Sequence, residues 1–428
     1  MSTNSKGEIK QFERNQNMKI FLRHSLYRAL TISRLLNSLG SYIYNLVFVI
    51  YAASLLYSNL AVFIANMITI VPTAFTFWIG VRADRSVRKG QTMIVVGVIQ
   101  ATLFSLVAFM IQNQTFLAFS VICLINIVTD VLSDYASGLR MPILQHNLDK
   151  DDLFEAYSFT QFVSYLSSIL GQSFGVWLLT VSNNNFPLVA TINALSFLLS
   201  SLVLLGYRHA LTHKEVLPVT EKNSLWKNFK KTYQEMELVF KNSGNSSFVG
   251  ILLSILALNS LGGSIGAIYN FYFLHNAGIL GLGYGQSLLI VEIILLVGAI
   301  LGSLTPNDYF SKQSLSFLLI MNSTSFLLTA LSNLLGLNPF IGLSFLAFSA
   351  YIMGKSAPKL DALIMEKLPA DMLAQGNNFL GLLFTLSIPL GTFGFSSLAL
   401  YHMSACWMVF VLVSILSLYL TVNDFKKG

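Results

Sequence analysis

Five ionisable side chains stand inside long apolar stretches of this 428-residue chain: Arg34, Asp130, Asp134, Glu292 and Lys355. Each costs about 2.5–3.5 kcal/mol at the centre of a membrane helix, and such groups mark proton relays and solute paths by default. Glu292 lies in Leu288-Leu-Ile-Val-Glu-Ile-Ile-Leu-Leu296, where nothing in its own stretch can pair with it. A carboxyl so placed can hold a proton in one state and attract a cation in another. The plainer reading is a neutral acid making one interhelical hydrogen bond. Asp130 and Asp134 are four residues apart and so share one helix face. Two carboxylates this close disfavour each other's charge unless a cation intervenes, and Arg34 is the candidate cation. The plainer alternative is an Arg34–Asp134 ion pair that only fixes packing.

The elements that hold these groups follow from composition. The chain is 54% hydrophobic and 11% charged, whereas soluble domains carry about 25% charged residues. It is an integral membrane protein. Twelve stretches meet the length of about 20 apolar residues that a span needs. They run near 29–55, 59–81, 91–112, 115–138, 156–180 and 186–206, then 247–274, 283–304, 314–335, 338–358, 377–399 and 402–421. With the N-terminus placed in the cytoplasm, the outer connections fall at 56–58, 112–114, 181–185, 275–282, 336–337 and 400–401. None of them holds Lys, Arg, Asp or Glu. This one-sided charge is the positive-inside pattern, and it requires an even number of spans with both termini cytoplasmic. It also accounts for the net charge of +7 without a nucleic-acid partner.

The first inner loop reads Gly80-Val-Arg-Ala-Asp84-Arg85-Ser-Val-Arg88-Lys89. In physical terms Gly80 lets two helix ends approach, and Asp84 can accept from helix N-terminal amides or pair with an arginine. Its pattern, G-x-x-x-D-R-x-x-R-K, resembles the loop after the second helix of major facilitator superfamily transporters, with Arg82 and Val87 replacing the usual Leu and Gly. Arg140-Met-Pro142 through Ala156 is similar to the loop between spans 4 and 5 in drug-efflux-like members of the macrolide and multidrug exporter type. The resemblance implies an all-α fold of twelve transmembrane helices in two six-helix repeats. It implies that Gly80, Asp84, Arg85 and Arg88 form a conformational latch. It also implies that spans 1, 4, 7 and 10 line a central cavity, so that Arg34, Asp130, Asp134 and Lys355 face one water-filled space.

Internal matches support two halves. At an offset of 220, Asp151 meets Asp371, Leu153 meets Leu373, Phe159 meets Phe379 and Gly171 meets Gly391, while Gly80 has a partner in Gly302, followed by Asp308. The expected division is an inner segment 1–26, bundles at 27–206 and 247–421, a linker at 207–246 and a tail at 422–428. In the linker Leu225, Trp226, Phe229, Tyr233, Met236, Val239 and Phe240 recur at helical spacing, which predicts an amphipathic helix on the inner membrane face. Gly171 and Gly175 allow close helix packing. Around them the family's antiporter motif lacks its Pro and its final Gly pair.

Other chemistries lack their residues. Cys123 and Cys406 stand in apolar runs and build neither a disulfide framework nor a metal site. His209 and His213 have metal-ligand spacing but lack the Glu of H-E-x-x-H. No G-x-x-x-x-G-K-S/T is present, so no ATPase is built in. Residues 1–26 are polar and of mixed charge and do not form a cleavable signal. The expectation is a non-enzymatic, cofactor-free and metal-free secondary transporter, a monomer in the cytoplasmic membrane. It exchanges protons for amphiphilic small molecules or antibiotics amid membrane lipids. Two alternatives stay open: a transporter of one dedicated solute (sugar, peptide, siderophore or lipid), and a membrane sensor that does not transport.

Overall fold

The computed structural model describes residues 19–84, 86–212, 248–305, 308–367 and 373–425. A short helical turn, Lys19–Arg23, precedes twelve long helices. They are α1 (Ser25–Ala53), α2 (Ser58–Asp84), α3 (Lys89–Met110), α4 (Phe116–Asn147), α5 (Lys150–Val181) and α6 (Phe186–Gly206), then α7 (Phe248–His275), α8 (Tyr284–Leu304), α9 (Leu315–Leu334), α10 (Pro339–Lys367), α11 (Leu373–Tyr401) and α12 (Met403–Phe425). Among the described residues eleven are long and apolar enough to cross a membrane, and α2 adds a shorter apolar run, Ser58–Thr73. A bilayer offers the backbone no water, so each segment satisfies its own amides by coiling into a helix.

The ends are set by local chemistry. Thr115, Asn185 and Ser314 cap α4, α6 and α9 by accepting from Ala118 N, Leu188 N and Phe317 N. Between α5 and α6 the chain reverses within four residues because Asn183 and Asn184 take φ of 53° and 60°, a region asparagine tolerates. Several helices outrun the spans expected from hydropathy, among them α10, which continues past residue 358 to Lys367. The α4 helix continues past residue 138 to Asn147, and α5 starts at Lys150 rather than near 156. Hydropathy stops where polarity rises, but a helix needs no apolar residue once its ladder is nucleated. Arg140, expected in an inner loop, is consequently inside a helix.

Contacts divide the chain into two compact units, residues 1–56 with 74–219 and residues 57–73 with 220–428. The first part of α2 thus groups with the second unit, a sharing for which the sequence division at 27–206 and 247–421 has no place. Each unit repeats the same pairings. In the first, α1 packs on α5 and α6, and α3 on α4 and α6; in the second, α7 packs on α11 and α12, and α9 on α10 and α12. These four pairings recur six helices later, as an internal duplication requires, whereas the packing of α8 on α10 has no α2–α4 counterpart of like extent among the described residues. Close approach at these seams rests on small residues. A Cβ at Gly171 or Gly175 of α5 would lie 2.7 Å from Tyr42 Cβ or 2.4 Å from Ile43 O of α1, and one at Gly391 of α11 would lie 2.2 Å from Ser260 Oγ of α7. Of the linker only residues up to 212 are described, so the expected amphipathic helix lies outside the described residues.

Candidate functional site

In the second unit Glu292 is the ninth of the 21 residues of α8, with Val291 buried beside it. Its carboxylate faces α7 at Gly266, where an added Cβ would stand 3.3 Å from Glu292 Oε1. Among the described residues it has no hydrogen-bond or ion-pair partner. Glycine at 266 leaves the space that the carboxyl occupies.

Lys355 of α10 is drawn into the inner loop after α8 rather than standing free as a cavity cation. Only 6% exposed, its Nζ is 2.8 Å from Asp308 Oδ2. The same ammonium donates to Gly302 O at 3.1 Å, Thr305 O at 2.7 Å, Thr305 Oγ1 at 2.7 Å and Ser311 Oγ at 3.0 Å. Three N–H groups serve five oxygens, so some bonds are shared. Tyr351 supplies a ring face 4.7 Å from Nζ, and its hydroxyl donates to Asp308. Ser311 closes the loop by donating from both N and Oγ to Asp308 Oδ1 at 2.8 Å. Partial burial pushes the Asp308 carboxyl up, but the bonds from Lys355, Tyr351 and Ser311 outweigh it and hold the group well below the usual carboxylate range. The seam beneath is tight, since a Cβ at Gly302 would lie 2.1 Å from Tyr351 O.

The corresponding loop of the first unit is built differently. Among the described residues an added Cβ at Gly80 would meet nothing within 4 Å. The tight point lies at Gly138 of α4, whose Cβ would stand 2.9 Å from Ala83 Cβ. Lys89, 1% exposed, donates to Ala83 O at 2.6 Å and caps the end of α2. Asp84 ends α2, Arg88 is exposed at the start of α3, and Arg85 lies outside the described residues.

Also in the first unit, Asp130 is half-buried and Asp134 exposed on α4. Among the described residues no ion pair joins either of them to Arg34, whose Nε instead donates to Ser164 Oγ of α5 at 3.3 Å. Hydropathy passed over Arg140. It is 6% exposed, and its Nε is buried without a hydrogen-bond partner. It also passed over an amide cluster on the second unit, because asparagine carries no charge to flag it. Asn66, 4% exposed, accepts from Asn270 Nδ2 at 2.7 Å and donates to Ala267 O and Ser396 Oγ at 3.4 Å each. In the same unit a cavity of about 210 Å³ opens between Asn259, Asn322, Ser356 and Phe384. Among the described residues no group of three or more His, Cys, Asp or Glu is placed to hold a metal.

No family model and no curated protein matches the sequence. Solved structures do. The chain is similar to a point mutant of the nucleoside transporter NupG, with 14% identity and a TM-score of 0.68 over 94% of this chain and all of that one. A POT family transporter in complex with a thioalcohol-conjugated peptide matches with 14% identity and a TM-score of 0.67 over 96% of this chain and 97% of that one. A bacterial metal transporter matches with 11% identity and a TM-score of 0.65 over 94% and 99%. Together with the repeated pairings of its helices, these likenesses give the chain the major facilitator fold.

Proposed function

We propose that the protein is a proton-coupled secondary transporter that moves small solutes across the cytoplasmic membrane by alternating access, as a monomer with both termini inside. The observation that carries this reading is Glu292, a carboxyl in mid-helix facing Gly266 without a partner among the described residues. Nothing holds its charge in place, so the group is free to take up and release a proton as its surroundings change. Asp130 and Asp134 supply a second acidic position, and Asp84, Arg85 and Arg88 form the latch on the cytoplasmic side. One elementary charge moving across 100 mV is worth about 2.3 kcal/mol, enough to concentrate a solute roughly fiftyfold per proton.

The resemblance at 80–89 and 140–156 favours export of amphiphilic compounds such as antibiotics. A second reading, one dedicated solute, is favoured by Arg34 and Arg140, two cations within helices of the first unit, which suit a defined anionic group better than a range of amphiphilic cations. Neighbours of the fold named as nucleoside and peptide transporters are consistent with it. The test is proton movement in inside-out vesicles loaded with a pH-sensitive dye. Wild type should release protons when its solute is added, and Glu292→Gln should not. Coupling unchanged in Glu292→Gln removes Glu292 from the mechanism. A silent wild type across amphiphilic cations, neutral antibiotics and anionic solutes removes proton-coupled transport itself.

A further inference from the structure

Lys355 and Arg140 are both buried cations, and only the first is compensated by an anion among the described residues. Arg140 is 6% exposed, yet its Nε has no hydrogen-bond partner. Leu30, one turn before Arg34 on α1, and Leu139, next to Arg140 on α4, belong to one buried apolar cluster. Arg34 is half-buried, and its Nε reaches only Ser164 Oγ. Among the described residues no carboxylate lies within ion-pair distance of either guanidinium.

Two arginines set on one buried apolar cluster without an anion are costly, because the desolvation is not repaid. A guanidinium is also the side chain whose fork of donors matches a carboxylate or phosphate group. We infer that Arg34 and Arg140, with the Ser164 hydroxyl beside them, form an anion-binding site that takes a carboxylate- or phosphate-bearing ligand. It is open on the Arg34 side and closed behind by Arg140. Both residues lie near the helix ends that carry the basic inner loops, so the site meets either a solute from that side or the headgroup of an inner-leaflet lipid. That the anion belongs to the transported solute rests on the transporter reading above; that an anion binds does not.

The experiment therefore reads stability rather than transport. Full-length protein in neutral-lipid nanodiscs is melted against rising inorganic phosphate or acetate, with chloride matched for ionic strength. Mass action gives a rise in Tm of about 3 °C at a hundredfold excess over Kd. Phosphate or acetate should produce this saturable rise beyond chloride, and Arg140→Gln should abolish it while melting no lower than wild type in anion-free buffer. Loss of the rise in Arg34→Gln, at a half-exposed position, carries the same conclusion should Arg140→Gln not fold. A rise given only by discs containing phosphatidylglycerol, and again lost in the variants, assigns the site to a lipid headgroup. The inference is overturned if no anion shifts wild type, if the variants keep the shift, or if Arg140→Gln melts lower while wild type ignores every anion. A silent vesicle assay alongside an intact shift would overturn the transporter reading alone.

Discussion

Lys355 and Arg140 are both cations 6% exposed, one in each unit, and they are treated in opposite ways. Lys355 is surrounded by Asp308, three further oxygen-bearing residues and an aromatic face. Arg140 has a buried Nε without a hydrogen-bond partner. A matched buried cation is architecture, since it ties the carbonyls at the end of α8 to α10 and fixes the loop between α8 and α9. An unmatched one is an opening for something the chain does not supply. The contrast extends to the two inner loops: in the second the lysine comes from a helix across the seam, while in the first Lys89 comes from the loop's own far end and caps α2. The second loop is therefore a clamp between helices, and the first is a hairpin with Arg82 and Arg88 left at the surface.

The strongest way to break that comparison is Lys355→Met. Removing one member of a buried ion pair costs about 3–5 kcal/mol, and here the carbonyls of Gly302 and Thr305 lose their donor as well. The expected result is a loss near the low end of that range in denaturant or thermal unfolding, because Asp308 stays partly in water. A change of less than about 1 kcal/mol would show that the clamp is no firmer than a surface pair.

Next come the paired glycines. Gly302→Ala sets a Cβ 2.1 Å from the backbone oxygen of Tyr351, which flexible side chains cannot relieve. Overpacking of this kind costs about 1–3 kcal/mol. Gly80→Ala meets nothing within 4 Å among the described residues in a helical position, so it should raise stability by about 0.5–1 kcal/mol. Unfolding of both variants under one condition checks the pair, and equal effects would erase the difference between the loops.

How much of this was legible in the sequence depends on what each residue has to say locally. The twelve helices were legible because length and hydropathy are properties of the segment itself, and the twofold repeat because Gly171 and Gly391 occupy the same seam 220 residues apart. Glu292 was legible as a lone acid in an apolar run. Partners were not. Lys355 reads as a cavity cation until Asp308, 47 residues earlier, is folded against it. Gly80 reads as the tight point, although Gly138 fills that role. Arg140 reads as an anchor in a loop because hydropathy ends before the helix does. Each of these depends on a neighbour distant in sequence, which no periodicity records.

The finest test concerns Asp308. Its folded carboxyl is held below the range it has in an unfolded chain by the bonds from Lys355, Tyr351 and Ser311, against the opposing effect of partial burial. A depressed carboxylate contributes stability that is present above its unfolded pKa, about 3.9, and is lost as pH falls through its lower folded value. Hydrogen exchange across residues 302–312 should hence stay protected, after correction for intrinsic rates, from neutral pH down to about pH 4, and protection should fall only in stronger acid. In Asp308→Asn the acid-dependent step should vanish, because an amide neither titrates nor pairs with the ammonium, and protection should be uniformly lower at neutral pH. Should the wild-type loop instead open between pH 6 and 5, Asp308 is not the group that holds it. The clamp would then rest on the neutral oxygens of Gly302, Thr305 and Ser311, and the second loop would be closer to the first than its geometry suggests.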